Sequence, residues 1–119
     1  MDEVGSSHIA FDPKWLRQLC AGGTSHLSFI RVQGDSMSPT LADGDDILVD
    51  GADGANRLRD GIYVLRRDDS LMVKRLAVNP FAGRVTLRSD NAAYPEWKDV
   101  EMSTLNIIGR VVWAGRRLS

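Results

Sequence analysis

Cysteine is almost missing from this chain: Cys20 stands alone among 119 residues, so no internal disulfide framework holds the fold. A single cysteine fits a reducing compartment and behaves as a small apolar filler. Histidine is nearly as scarce. His8 and His26 are isolated, with no acidic cluster around them, which excludes a metal site and leaves no histidine base for a catalytic triad. An excess of one charge is lacking too. Fifteen basic side chains face sixteen acidic ones, for a formal net charge of −1. A duplex-DNA binder draws most of its affinity from neutralised phosphates and shows a basic surplus or stripe. Arg110, Arg116 and Arg117 gather at the end, where a short basic tail reads as solvated surface. No stretch approaches the roughly 20 apolar residues of a membrane span. The opening MDEVGSSH has neither the basic nor the apolar region of a signal peptide. The chain therefore reads as cytoplasmic, without membrane, metal or other cofactor.

The composition that remains is that of a globular domain, 43% hydrophobic and 26% charged. Its length suits one compact unit. Residues 1–10 are small and polar and read as a linker or mobile arm, with the domain over 11–119. Asp12 as cap, Pro13 at the first helical position, and Trp15 and Leu19 at i, i+4 predict one short helix, stopped by Gly22 and Gly23. After it the period changes to two. LSFIRV (27–32), Ile47-Leu48-Val49, GIYVLRR, LMVKRL, GRVTLRS (83–89) and NIIGRVVWAG read as strands, the last interrupted at Gly109. GADGANRLRDG (51–61) is a loop, Asp68-Asp69-Ser70 a hairpin turn and SDNAAYPEW a long turn. The fold class is mainly β: a bent sheet or partial barrel with one short N-terminal helix.

Three local features bear on chemistry. Gly34-Asp35-Ser36-Met37-Ser38-Pro39 follows a strand directly. Gly34 allows a tight approach of the backbone, and Pro39 restrains its predecessor. A serine on such a turn presents its hydroxyl beside N–H groups free to face an oxyanion. The same six residues also describe an ordinary Ser/Pro turn, and alone they favour it. Lys74 shares one face of its strand with Met72 and Leu76. If that face is buried, desolvation lowers the amine's pKa, as a lysine base requires. If not, the lysine snorkels from an edge strand. Ser89-Asp90-Asn91, before Tyr94-Pro95, reads as a capped turn, with Asp90 placed to pair with Arg75. In the absence of a histidine base, a serine peptidase here would need a Ser–Lys dyad.

Together these pieces resemble the LexA-like serine peptidase family: LexA, UmuD-type proteins and the C-terminal domains of many phage repressors. FDPKWLRQL resembles the segment before the first core strand, and IRVQGDSMSPTLADGDDILVD the nucleophile box. GIYVLRRDDSLMVKRL resembles the strand pair carrying the lysine. TLRSDNAAYP and IIGRVVWAGRRL resemble the closing segments. The five stand in the family's order.

The resemblance implies a mechanism. Ser36 attacks a peptide carbonyl, neutral Lys74 takes its proton, and backbone N–H groups at Asp35 and Ser36 stabilise the oxyanion. Each such donor is worth about 3–4 kcal/mol in serine proteases. Met37, Arg75 and Asp90 are candidates for the layer supporting the dyad. The implied substrate is the chain's own linker, cut at an Ala-Gly bond under stimulation by RecA filaments in an SOS-type response. DNA binding belongs to an N-terminal helix-turn-helix that this sequence lacks. Ala21-Gly22 is read as a helix stop rather than the scissile bond, and Val4-Gly5 lies at a better distance from Ser36. The apolar run Ile107, Ile108, Val111, Val112 and Trp113 suits a partner surface as well as a core, so a homodimer is expected. Because Met72 and Leu76 alone leave the amine short of cover, Lys74 is expected to be partly hydrated and mostly charged. A catalytically idle dimerisation module is the competing reading. A membrane signal peptidase, of related fold, is disfavoured by the lack of an apolar anchor.

Overall fold

A computed structural model describes Lys14, Gln18, residues 26–80, residues 83–116 and Leu118. Lys14 and Gln18 are helical and exposed. The expected arm, the cap and apolar face of the predicted helix (Asp12, Pro13, Trp15, Leu19), Cys20, the glycine stop, Val4-Gly5, His8 and Arg117 lie outside the described residues.

Seven strands form one antiparallel, bent and unclosed sheet in the order β1-β2-β7-β3-β4-β5-β6. They are β1 (Leu27–Arg31), β2 (Asp46–Asp50), β3 (Gly61–Arg67), β4 (Ser70–Val78), β5 (Arg84–Arg88), β6 (Trp97–Glu101) and β7 (Asn106–Gly115). The central strands are covered on both faces, and this explains their runs of adjacent apolar residues. Along β3, Val64 joins a cluster with Ile30, Val32, Met37, Leu41 and Val73. Its neighbours Tyr63 and Leu65 turn the other way, to Leu76 and Leu87. β3 and β4 meet in the expected hairpin, where Asp68 takes a φ of 54°. A two-residue turn between right-twisted strands requires such left-handed backbone.

Two strand expectations are corrected. β7 is not interrupted at Gly109: it runs ten residues through it. Gly109 allows close approach instead, because a Cβ there would run into the Asp50 carbonyl of β2. The irregularity lies at register shifts against β3 and β2. These let β7 serve both clusters, Ile107 one and Ile108 and Val111 the other. The long turn also ends early. Trp97 starts a seventh strand, β6, whose sequence WKDVE carries little β signal and whose pairing with β5 is broken by a register shift. The 51–61 loop holds one 3-10 turn, Ala55–Arg57. No helix among the described residues is long and apolar enough to cross a membrane.

Candidate functional site

Ser36 lies on the loop between β1 and β2, and this loop is braced from several sides. Val32 N–H donates to the Asp45 carbonyl and Gly44 N–H to the Val32 carbonyl, closing the loop at its base. Gly34, at φ 84°, donates its N–H to Asp43 at 2.8 Å. The DGD turn thus ties back the approach to Ser36. Asp45 is held from outside by both nitrogens of the Arg116 fork at 3.0 and 3.1 Å, which keeps its carboxyl below the usual range. Arg116 is exposed, as expected of the basic tail, and is ion-paired as well. Met37 is fully buried and anchors the loop in the core. The Ser38–Pro39 peptide is cis.

The segment after β5 straps this loop down. Asn91 donates its backbone N–H to the Ser36 carbonyl and its side-chain amide to the Asp35 carbonyl, both at 3.0 Å. The Tyr94 hydroxyl donates to the Asp35 carboxylate. Asp90 donates its N–H to the Met37 sulfur at 3.5 Å and accepts a hydrogen bond from Thr40. The N–H groups of Asp35 and Ser36 have no protein acceptor among the described residues.

Lys74 stands mid-way along β4, directly opposite Tyr63 of β3. It is buried, at 7% exposure. Burial pushes its amine below the ordinary value of 10.5. The expectation of a partly hydrated Lys74 is corrected here, because Met72 and Leu76 are not its only cover. The ammonium nitrogen lies 5.0 Å from the centre of the Trp97 ring and donates to Ser89 Oγ at 2.7 Å. Trp97 belongs to the strand the sequence did not reveal. Arg75, the next residue, points to the other face and makes a bidentate pair with Asp90 at 2.7 and 2.8 Å. That guanidinium holds the Asp90 carboxyl below its usual range.

Ser36 and Lys74 line one cavity of about 310 Å³, together with Met37, Met72, Val73 and Tyr94. A larger, polar cavity of about 580 Å³ adjoins through Tyr94, with Thr40, Arg75, Ser89 and Asp90 on its walls. The arrangement holds what acyl transfer needs: a hydroxyl on a braced turn, open N–H groups beside it and an amine with depressed basicity. Among the described residues no group of three His, Cys, Asp or Glu is placed to hold a metal ion.

The chain matches the model of the Peptidase S24-like family over residues 1–112. It belongs to that family. It is 39% identical over 89 residues to the 26 kDa repressor protein of Escherichia phage HK022, covering 70% of this chain and 35% of that protein. It is 32% identical over 108 residues to the repressor protein CI of Enterobacteria phage phi80, covering 88% of this chain and 44% of that protein. The chain thus spans less than half the length of these S24-like relatives. Sequence reasoning named Ser36, Lys74, Met37, Arg75 and Asp90, and the fold brings all five into one neighbourhood. It did not assign Ser89, Asn91, Tyr94 or Trp97 a part. No local signal pointed to Ser89: it faces Lys74 because Arg75 pairs with Arg88 in the sheet, one step away.

Proposed function

We propose that this chain is the self-cleaving and dimerising C-terminal domain of a phage-type transcriptional repressor. Ser36 attacks the carbonyl of a linker peptide bond in its own polypeptide, or in a partner protomer. Neutral Lys74 takes the Ser36 proton as the Oγ–C bond forms. The resulting ammonium returns it to the leaving amine as the C–N bond breaks. The N–H groups of Asp35 and Ser36 hold the oxyanion. Met37, Arg75 and Asp90 support the two walls. The observation that carries this reading is one cavity lined by both Ser36 and a buried lysine with a lowered pKa. RecA filaments as stimulus, an SOS-type trigger, DNA contact through a separate helix-turn-helix and a homodimer through the β7 region complete the proposal in the intracellular setting of a repressor.

The competing reading, an idle dimerisation module, draws on one observation: the Lys74 amine bonds Ser89 rather than Ser36. One experiment decides between them. The chain is treated with a fluorophosphonate, which labels activated serines, and separately held at alkaline pH while intact mass is followed. Labelling at Ser36, lost in Ser36→Ala and reduced roughly 10²–10⁴-fold in Lys74→Ala, supports the peptidase. A Ser36→Ala chain that labels or cleaves as fast as the parent overturns it.

A further inference from the structure

Lys74 has a partner that the dyad reading does not use. Ser89 follows β5 directly, is buried at 7% exposure, and its Oγ accepts a hydrogen bond from the lysine amine at 2.7 Å. The contact is set by the sheet, not by a flexible turn. The β4–β5 ladder ends at the Arg75–Arg88 pair, and the same register carried one residue past it sets Ser89 beside Lys74. The flanking residues fix it further. Asp90 is clamped by the Arg75 fork, and Asn91 is bonded to Ser36 and Asp35. A serine between two such anchors has little freedom to leave.

We infer that Ser89 is the positioning residue of the lysine base. This inference rests on the peptidase reading above. A tetrahedral amine has three directions besides its own side chain. Ser89 Oγ occupies one and the Trp97 ring face lies along another. The third is left for the cavity that Lys74 shares with Ser36. With its rotation arrested in this way, the amine presents its lone pair to the serine rather than sampling the site. The hydroxyl also matters after proton transfer. The ammonium has no carboxylate partner among the described residues, and Ser89 Oγ accepts a hydrogen bond from it. Ser89 itself neither gains nor loses a proton in the step. It stabilises the charged form of Lys74, opposing the desolvation that lowers the amine's pKa.

The test reads Lys74 directly as well as through Ser36. The chain has three lysines, Lys14, Lys74 and Lys98, so side-chain NMR of labelled lysine follows Lys74 through its titration in the full chain. Ser89→Ala should move the Lys74 midpoint to lower pH, since an acceptor for the ammonium is lost. The rate of fluorophosphonate labelling at Ser36 should follow it, with an earlier midpoint and a plateau roughly 10- to 100-fold lower. Ser89→Thr, which keeps the hydroxyl, should restore both midpoint and plateau. An unchanged midpoint in Ser89→Ala, with or without a fall in rate, overturns the inference, because a merely structural serine alters rate without altering the base. A parent chain whose Ser36 takes no label at any pH overturns the peptidase reading instead. In that case a shifted Lys74 titration still upholds Ser89 as the group that fixes the amine.

Discussion

The two walls of the 310 Å³ cavity are built by opposite means. Ser36 stands on a loop whose shape depends on particular side chains reaching in from Asp43, Asn91 and Tyr94. Lys74 stands in the middle of a nine-residue strand, placed by a ladder that would hold almost any side chain there. The difference is one of tolerance. The lysine wall spreads its stability over backbone pairing and two apolar clusters, whereas the serine wall concentrates it in a few polar contacts. A substitution on the strand should change chemistry and spare the fold. One in the braces should disturb the geometry of the loop first.

The sharpest way to test that contrast is Lys74→Met. It removes the proposed base but keeps the volume and apolar stem, so labelling at Ser36 should fall roughly 10²–10⁴-fold. The melting temperature should hold or rise, since a buried amine with a desolvation penalty is gone. A large loss of melting temperature would mean that Lys74 carries structure after all.

Next in size is Asp90→Ala on the opposite wall. It strips Arg75 and Thr40 of a common carboxylate, while the backbone N–H that bonds the Met37 sulfur remains. Hydrogen bonds to charged groups are worth about 1.5–3 kcal/mol each, but Arg75 is 32% exposed at its side chain, so about 1–2 kcal/mol is expected. Denaturant unfolding measures it, and an unchanged midpoint would break the claim that this pair braces the site. Asn91→Ala should have a smaller effect on stability. It loses the amide contact to Asp35 but keeps its backbone bond to Ser36, and labelling should fall about 10-fold, the worth of one such bond. The Lys74 titration should not move, because the strand wall does not depend on this brace.

The smallest effects are those of pH, and the two walls should show them at opposite ends of the scale. Asp90 has a folded pKa below its ordinary 3.8, so its contribution is present above that value and fades as pH falls through the folded one. Lys74 has a folded pKa below 10.5, so between the two values the unfolded chain binds more protons and stability rises with pH. The difference in unfolding free energy between parent and Asp90→Asn should therefore be full near neutral pH and shrink as pH falls into the acid range. Between parent and Lys74→Met the difference should change mainly in the alkaline range. Differences that stay flat across both windows would remove these two groups from the pH dependence of the fold.

Much of this protein follows from local pattern. Period-two alternation or a short apolar run marked six of the seven strands, and the Asp68-Asp69 hairpin was legible because only a few residues suit a two-residue turn. The boxes around Ser36 and Lys74 were visible as order along the chain, and opposite charge suggested Asp90 as the partner of Arg75. What tertiary structure alone decided is which groups face one another across the sheet. Trp97 over Lys74 needed a strand whose local propensity is weak and whose place is earned only by pairing with β5. Ser89 beneath the amine needed a register, and register is set by the whole ladder. The continuity of β7 through Gly109 came from the close approach of β2, a contact between residues nearly sixty positions apart in the chain. Chemistry-bearing residues announce themselves by type and spacing. The environment that tunes them is made of distant, ordinary residues, and only the packed sheet brings these together.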